Sequence, residues 1–244
     1  METKHSGMQL PGGEPTGKRL LATALVITIA LWGWLTGWSF VFGSVPGREP
    51  LVLADQPVVR DVAYQLLRAL FAVGVAAAVV RHFGIESPLA WLGVSRPAGR
   101  EWGYLPLGIV LLIVTLLGAQ VLLMGVLGFE RTPSQSLADP VMLSRLLTLL
   151  VLVGPAEELI FRGTVQQSLG DRFGEWPAIL IAATLFGFGH VSLWATAPGD
   201  LLWLVAQTGA GVVLGWVYYR TDNLVVTALT HGGFVSLTTA LAVM

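Results

Sequence analysis

Hydrophobic positions gather into seven long runs separated by short polar connectors. They extend from Leu20 to about Phe42, Val62 to Val80, Tyr104 to Leu127, Met142 to Gln166, Pro177 to Leu193, Leu201 to Tyr219 and Leu224 to Val243. A helix crosses a hydrocarbon core in roughly 20 apolar residues, so the pattern predicts an all-α, polytopic bundle of transmembrane helices. About seven spans are expected, with six to eight as the bounds. The connectors hold most of the proline, glycine and charge, and none is long enough for a soluble domain. Residues 1–18 are polar and rich in Gly and Pro, which predicts a disordered tail. Residues 19–103 are read as N-terminal transmembrane helices with an interfacial segment, Pro88 to Trp102, too short and too charged to cross. Residues 104–244 are read as the transmembrane core that carries the chemistry.

Composition agrees with the pattern. The chain of 244 residues is 54% hydrophobic and only 12% charged, too apolar for a soluble domain of that size. Its formal net charge is −1 and its basic residues are scattered, so nucleic acid is not expected as a partner. There are no cysteines, which excludes disulfides, thiolate metal sites and cysteine nucleophiles. Lys and Arg set the orientation. With the N-terminus inside, Lys4, Lys18, Arg19, Arg81, Arg96, Arg100, Arg162, Arg172 and Arg220 fall on the inner side, against Arg48, Arg60, Arg131 and Arg145 outside. The expectation is an integral protein of the plasma membrane with a cytoplasmic N-terminus. Arg68, within the second run, has no place in that count.

Against this apolar background a few ionisable residues stand out. Of fifteen acidic residues, only Glu157 and Glu158 lie well inside a run, and a carboxylate at membrane depth costs on the order of 2.5–3.5 kcal/mol. His190 and His231 lie within or at the edge of two other runs. At about 100° per residue, Glu158 and Arg162 share a helix face in the favourable i, i+4 order, while Glu157 points elsewhere. The adjacent acids therefore divide their work: Glu158 pairs with Arg162 and Glu157 faces a cavity. Pro155 removes a helix hydrogen bond just before them. Two neutral imidazoles and a carboxylate suit a divalent cation with an open position, or a water held and deprotonated without one. Taken one at a time, the same residues serve packing: an ion pair between helix turns, and histidines donating to neighbouring carbonyls.

The residues Glu157-Glu158-Leu159-Ile160-Phe161-Arg162, then Phe186-Gly187-Phe188-Gly189-His190, then His231 resemble the EExxxR, FxxxH and final-histidine motifs of the CAAX prenyl endopeptidase-like intramembrane proteases. This is the CAAX protease and bacteriocin-processing family. The resemblance runs from about Gly154 to Ser236. It implies a helical-bundle endopeptidase with its active site among the last four helices. Glu157 would activate a water, supported by Glu158 and Arg162, with Phe186 as the motif's aromatic residue. His190 and His231 would orient the water and stabilise the oxyanion, or would bind a metal together with Glu157; zinc is compatible with that set and not required by it. The implied partners are the lipid bilayer and a membrane-associated or prenylated peptide substrate. The family commonly carries Asn or Asp four residues after the last histidine, and here that position is Val235, followed by Ser236. That departure keeps a second expectation, a catalytically silent scaffold or immunity protein of the same fold. A third, a proton-coupled transporter, shares the buried Glu and His but lacks an inverted repeat.

Overall fold

The computed structural model describes residues 23–30, 33, 55–127, 140–190 and 198–241, and among these every regular element is helical. Helix α1 is Pro57–Phe83, α2 Tyr104–Leu127, α4 Glu175–Gly189, α5 Pro198–Thr221 and α6 Leu224–Leu241. Between α2 and α4 lies a composite helix, α3, over residues 140–173. It is wound as α at Pro140–Thr148, π at Leu149–Val153, α at Gly154–Glu158, π at Leu159–Gln166 and α again at Gln167–Phe173.

Among the described residues four segments are long and apolar enough to cross a membrane: Pro57–Phe83, Glu101–Leu122, Leu201–Thr221 and Leu224–Leu241. Seven such spans were expected from hydropathy, and three of the expected runs are not among these four. The run from Leu20 to Phe42 lies mostly outside the described residues. The run from Met142 to Gln166 lies within α3, whose winding alternates between α and π around its buried charges. Helix α4 is 15 residues long and ends at Gly189, about 22 Å at 1.5 Å per residue. Pro88 to Trp102 forms a helical turn at Pro88–Trp91 and a 3₁₀ turn at Glu101–Gly103. Trp91 and Leu92 from this stretch are buried in the core.

Two helices carry stripes of large apolar side chains outward. On α2, Val110, Val114, Leu117 and Val121 are all more than half exposed and recur at helical spacing along one face. On α1, Leu66, Leu70 and Val73 are likewise exposed along one face. In water such continuous stripes would demand a partner; against lipid tails they are at home. The architecture is that of an integral membrane protein.

The interior is built from small residues, which let helix backbones approach. Ala178, Ala182 and Ala183 of α4 and Ala206 and Ala210 of α5 are buried. A Cβ on Gly211 would stand 2.8 Å from the Cα of Ala183. Another close crossing joins α3 to α6, where a Cβ on Gly154 would meet the Gly232 Cα and N at 2.7 Å, and one on Gly232 would meet the Leu150 carbonyl oxygen at 2.7 Å. These are backbone atoms with no rotamer to change. Gly232→Ala is therefore expected to lower stability by about 1–3 kcal/mol, the range for overpacking, seen as a lower unfolding temperature in detergent. Gly118→Ala, where an added Cβ meets nothing within 4 Å, is the control that should show no loss.

Two turns fix the order of the helices. Pro57 opens α1 at its first turn, where a missing N–H costs nothing, and Gly84 closes it at φ 65°, a left-handed position that glycine adopts without strain. Between α5 and α6, Asn223 acts as a clamp. Its Oδ1 accepts from the N–H groups of Val225 and Val226, and its Nδ2 donates to Ser95 and Glu101. The N–H of Leu224 donates to the Gly93 carbonyl at 2.7 Å. The connector before α2 thereby holds the start of the helix that carries His231.

Candidate active site

The composite winding of α3 sets the site. Pro155 has no N–H to return to the preceding turn, and the helix widens into π turns on both sides of Gly154–Glu158, a common way to absorb such a break. Both carboxylates of this short α segment are buried, Glu157 at 3% exposure and Glu158 at 0%.

Glu158 lies on the inner side. Its Oε1 accepts from Arg162 Nη1 at 2.9 Å, the i, i+4 pair expected from the spacing, and from His231 Nδ1 at 2.8 Å. Arg162, also at 0% exposure, sends Nη2 to the carbonyl of Gly211 on α5 at 2.8 Å. One guanidinium thus ties α3 to α5 while one carboxylate oxygen ties α3 to α6. Phe186 packs in the middle of this group. Its ring centroid lies 4.4 Å from that of His190, 5.7 Å from His231 and 5.2 Å from Phe161, with the Arg162 guanidinium 4.9 Å above it.

Glu157 faces away from Glu158. Its Oε2 is 3.5 Å from His190 Nε2 and 3.7 Å from His231 Nε2, and this buried oxygen has no hydrogen-bond partner among the described residues. His190 stands at the end of α4, where its Nδ1 is 2.8 Å from the Phe186 carbonyl oxygen. A carbonyl and a carboxylate can only accept, so both histidines carry a proton on Nδ1 and, as neutral imidazoles, turn the Nε2 lone pair toward Glu157. The geometry brings Glu157, His190 and His231 to one point from α3, α4 and α6. Three acceptors meeting there are complemented by a small molecule with hydrogens to donate, and water is the simplest.

The arrangement adds a residue that the motif spacing did not single out. Arg68 of α1 places Nη2 on Glu157 Oε1. The signal for it in the sequence was an arginine inside an apolar run that belonged to neither side of the charge count. Val235, by contrast, is partly buried against the hydrophobic core. The Ser236 hydroxyl donates to the Leu146 carbonyl at 2.9 Å, so it ties α6 to α3 and does not serve the acceptors around Glu157.

The reading in which His190, His231 and Glu157 hold a zinc ion finds no support in this arrangement. Among the described residues no three His, Asp or Glu side chains are grouped so as to hold a metal. A guanidinium already stands on the carboxylate that would have to be the anionic ligand, and its positive charge opposes a second cation there.

No curated protein and no solved structure matches the chain. Residues 139–237, which carry both glutamates, Arg162, Phe186 and both histidines, match the model of the family described as Type II CAAX prenyl endopeptidase Rce1-like, and over that segment the resemblance read from the EExxxR, FxxxH and final-histidine spacing is shown.

Proposed function

We propose that the protein is an intramembrane endopeptidase that hydrolyses a peptide bond of a membrane-associated substrate, prenylated CAAX-type peptides included, with Glu157 as the general base. The observation that carries this reading is the convergence of two Nε2 lone pairs on the unpartnered Oε2 of a buried glutamate. A water held there gives one proton to Glu157 as its oxygen attacks the scissile carbonyl carbon, while its other hydrogen is held by an imidazole. The carbonyl electron pair moves onto oxygen to give a tetrahedral oxyanion. When that oxyanion collapses, the C–N bond breaks and the departing amine takes the proton back from Glu157. Glu158 and Arg162 fix His231 and the helix, and Phe186 fixes the rings.

The family match supports a protease, and the outward apolar faces support a substrate that arrives through the bilayer. We place the N-terminus in the cytoplasm and the protein in the plasma membrane, on the charge count. The test is incubation of purified protein in detergent with paired prenylated and unprenylated peptides, read by mass spectrometry. Cleavage at one defined bond, faster for the prenylated member, is expected; no cleavage of any peptide would overturn the reading. Exposure to a strong chelator is expected to leave turnover unchanged, and a loss restored by zinc would show that a metal takes part.

A second reading, a silent scaffold of the same fold, is favoured by Val235, which places an apolar side chain where the resembled family commonly has an amide or acid. It predicts that Glu157→Gln and His190→Ala leave the cellular phenotype unchanged.

A further inference from the structure

The groups that meet at Glu157 Oε2 all accept hydrogen bonds, yet the reaction generates an anion that must be met by donors. Arg162 is committed elsewhere, with one nitrogen on Glu158, another on the Gly211 carbonyl, and no exposed surface. Arg68 is differently placed. On α1 the buried positions Gln65, Ala72, Ala76 and Val79 form the inward stripe, and position 68 falls in register with it, opposite the outward Leu66, Leu70 and Val73. Its guanidinium touches Glu157 Oε1 through Nη2, and its Nε is buried with no hydrogen-bond partner among the described residues. Its side chain is 16% exposed and that of His190 26%, whereas those of Glu157, Glu158, Arg162 and His231 are nearly or fully enclosed. Arg68 and His190 therefore border the open side of the site.

We propose that Arg68 is a catalytic residue of this site, a guanidinium that holds Glu157 by one oxygen and offers further N–H groups to the oxyanion of the tetrahedral intermediate and then to the carboxylate of the product. It supplies the donor that the apolar Val235 and the turned-away Ser236 do not. The planar fork suits both tasks, since one edge grips a carboxylate while other N–H groups remain free. The proposal rests on the peptidase reading for the oxyanion, but the carboxylate site it describes can be measured without turnover.

The test compares wild type with Arg68→Gln and Arg68→Lys, all checked for monodispersity in detergent. Turnover on the cleaved peptide is expected to fall about 10²–10³-fold in Arg68→Gln, the cost of losing one oxyanion donor, with kcat rather than KM carrying the loss. Arg68→Lys should lie between, having charge without the fork. In parallel, binding of N-acetyl-S-farnesylcysteine, whose free carboxylate mimics the product terminus, is compared with that of its carboxamide. Wild type is expected to prefer the acid by about 10-fold, as for a hydrogen bond to a charged group, and Arg68→Gln to show no preference. Wild-type turnover retained in Arg68→Gln, or an acid preference absent from wild type or unchanged in Arg68→Gln, overturns the proposal. An acid preference that depends on Arg68 in a protein that cleaves nothing would instead overturn the peptidase reading and leave the anion site standing. Should Arg68→Gln not fold, the same two readouts on Arg68→Lys decide.

Discussion

Glu157→Gln is expected to abolish measurable peptide hydrolysis while leaving the chain folded. General-base catalysis contributes about 10²–10⁴-fold in rate, and glutamine cannot take a proton from water. The substitution keeps the shape of the side chain. Its amide oxygen can still accept from Arg68, and its NH₂ can donate to the Nε2 lone pairs of His190 and His231, which lie 3.5 and 3.7 Å from the oxygen being replaced. The unfolding temperature in detergent should therefore hold or rise as turnover disappears. Retained turnover would remove Glu157 from the role of base.

Arg162→Met should do the opposite, and lose the fold as well as any activity. Glu158 and Arg162 are both at 0% exposure, and removing one member of a buried pair typically costs about 3–5 kcal/mol because the other charge is left without compensation. Methionine also releases the Gly211 carbonyl from its donor and so loosens α5 from α3. Arg162→Lys is not expected to rescue, since one ammonium cannot span two acceptors on different helices as the planar fork does. The double variant Glu158→Leu with Arg162→Met should recover part of the stability, because it removes both charges together. Denaturant or thermal unfolding in detergent reads all three. Equal stability of wild type and Arg162→Met would show that the pair contributes nothing to the fold.

The Glu158–Arg162 pair and the turning away of Glu157 were legible in the sequence because helix arithmetic alone fixes them. The outward stripes on α1 and α2 follow from the same periodicity. Nothing in the local spacing could bring His190 and His231 to Glu157, since the three residues stand on separate helices and only packing decides their meeting; the family resemblance supplied that expectation. Arg68 was visible as an anomaly but not as a partner, for its contact with Glu157 joins helices far apart in the chain. Hydropathy and the described helices also differ in their spans. Hydropathy averages over a window, so it cannot see that α4 stops at Gly189, or that α3 changes winding around two carboxylates and an arginine. The run from Leu20 to Phe42 lies mostly outside the described residues.

The π turns over Leu159–Gln166 give this stretch room for a change in length. A π turn holds one residue more than an α turn, so a chain shortened by one residue here would settle into ordinary α-helix with its backbone bonds intact. Side chains beyond the cut would keep their bearing, because the tightened turn closes the same angle with one residue fewer. Gln166, whose Nε2 donates to the Gly215 carbonyl at 3.0 Å, would still face α5 while Glu157 and Glu158 kept their own directions. The same deletion in a regular stretch such as Tyr104–Leu127 would turn every side chain beyond it by about 100°.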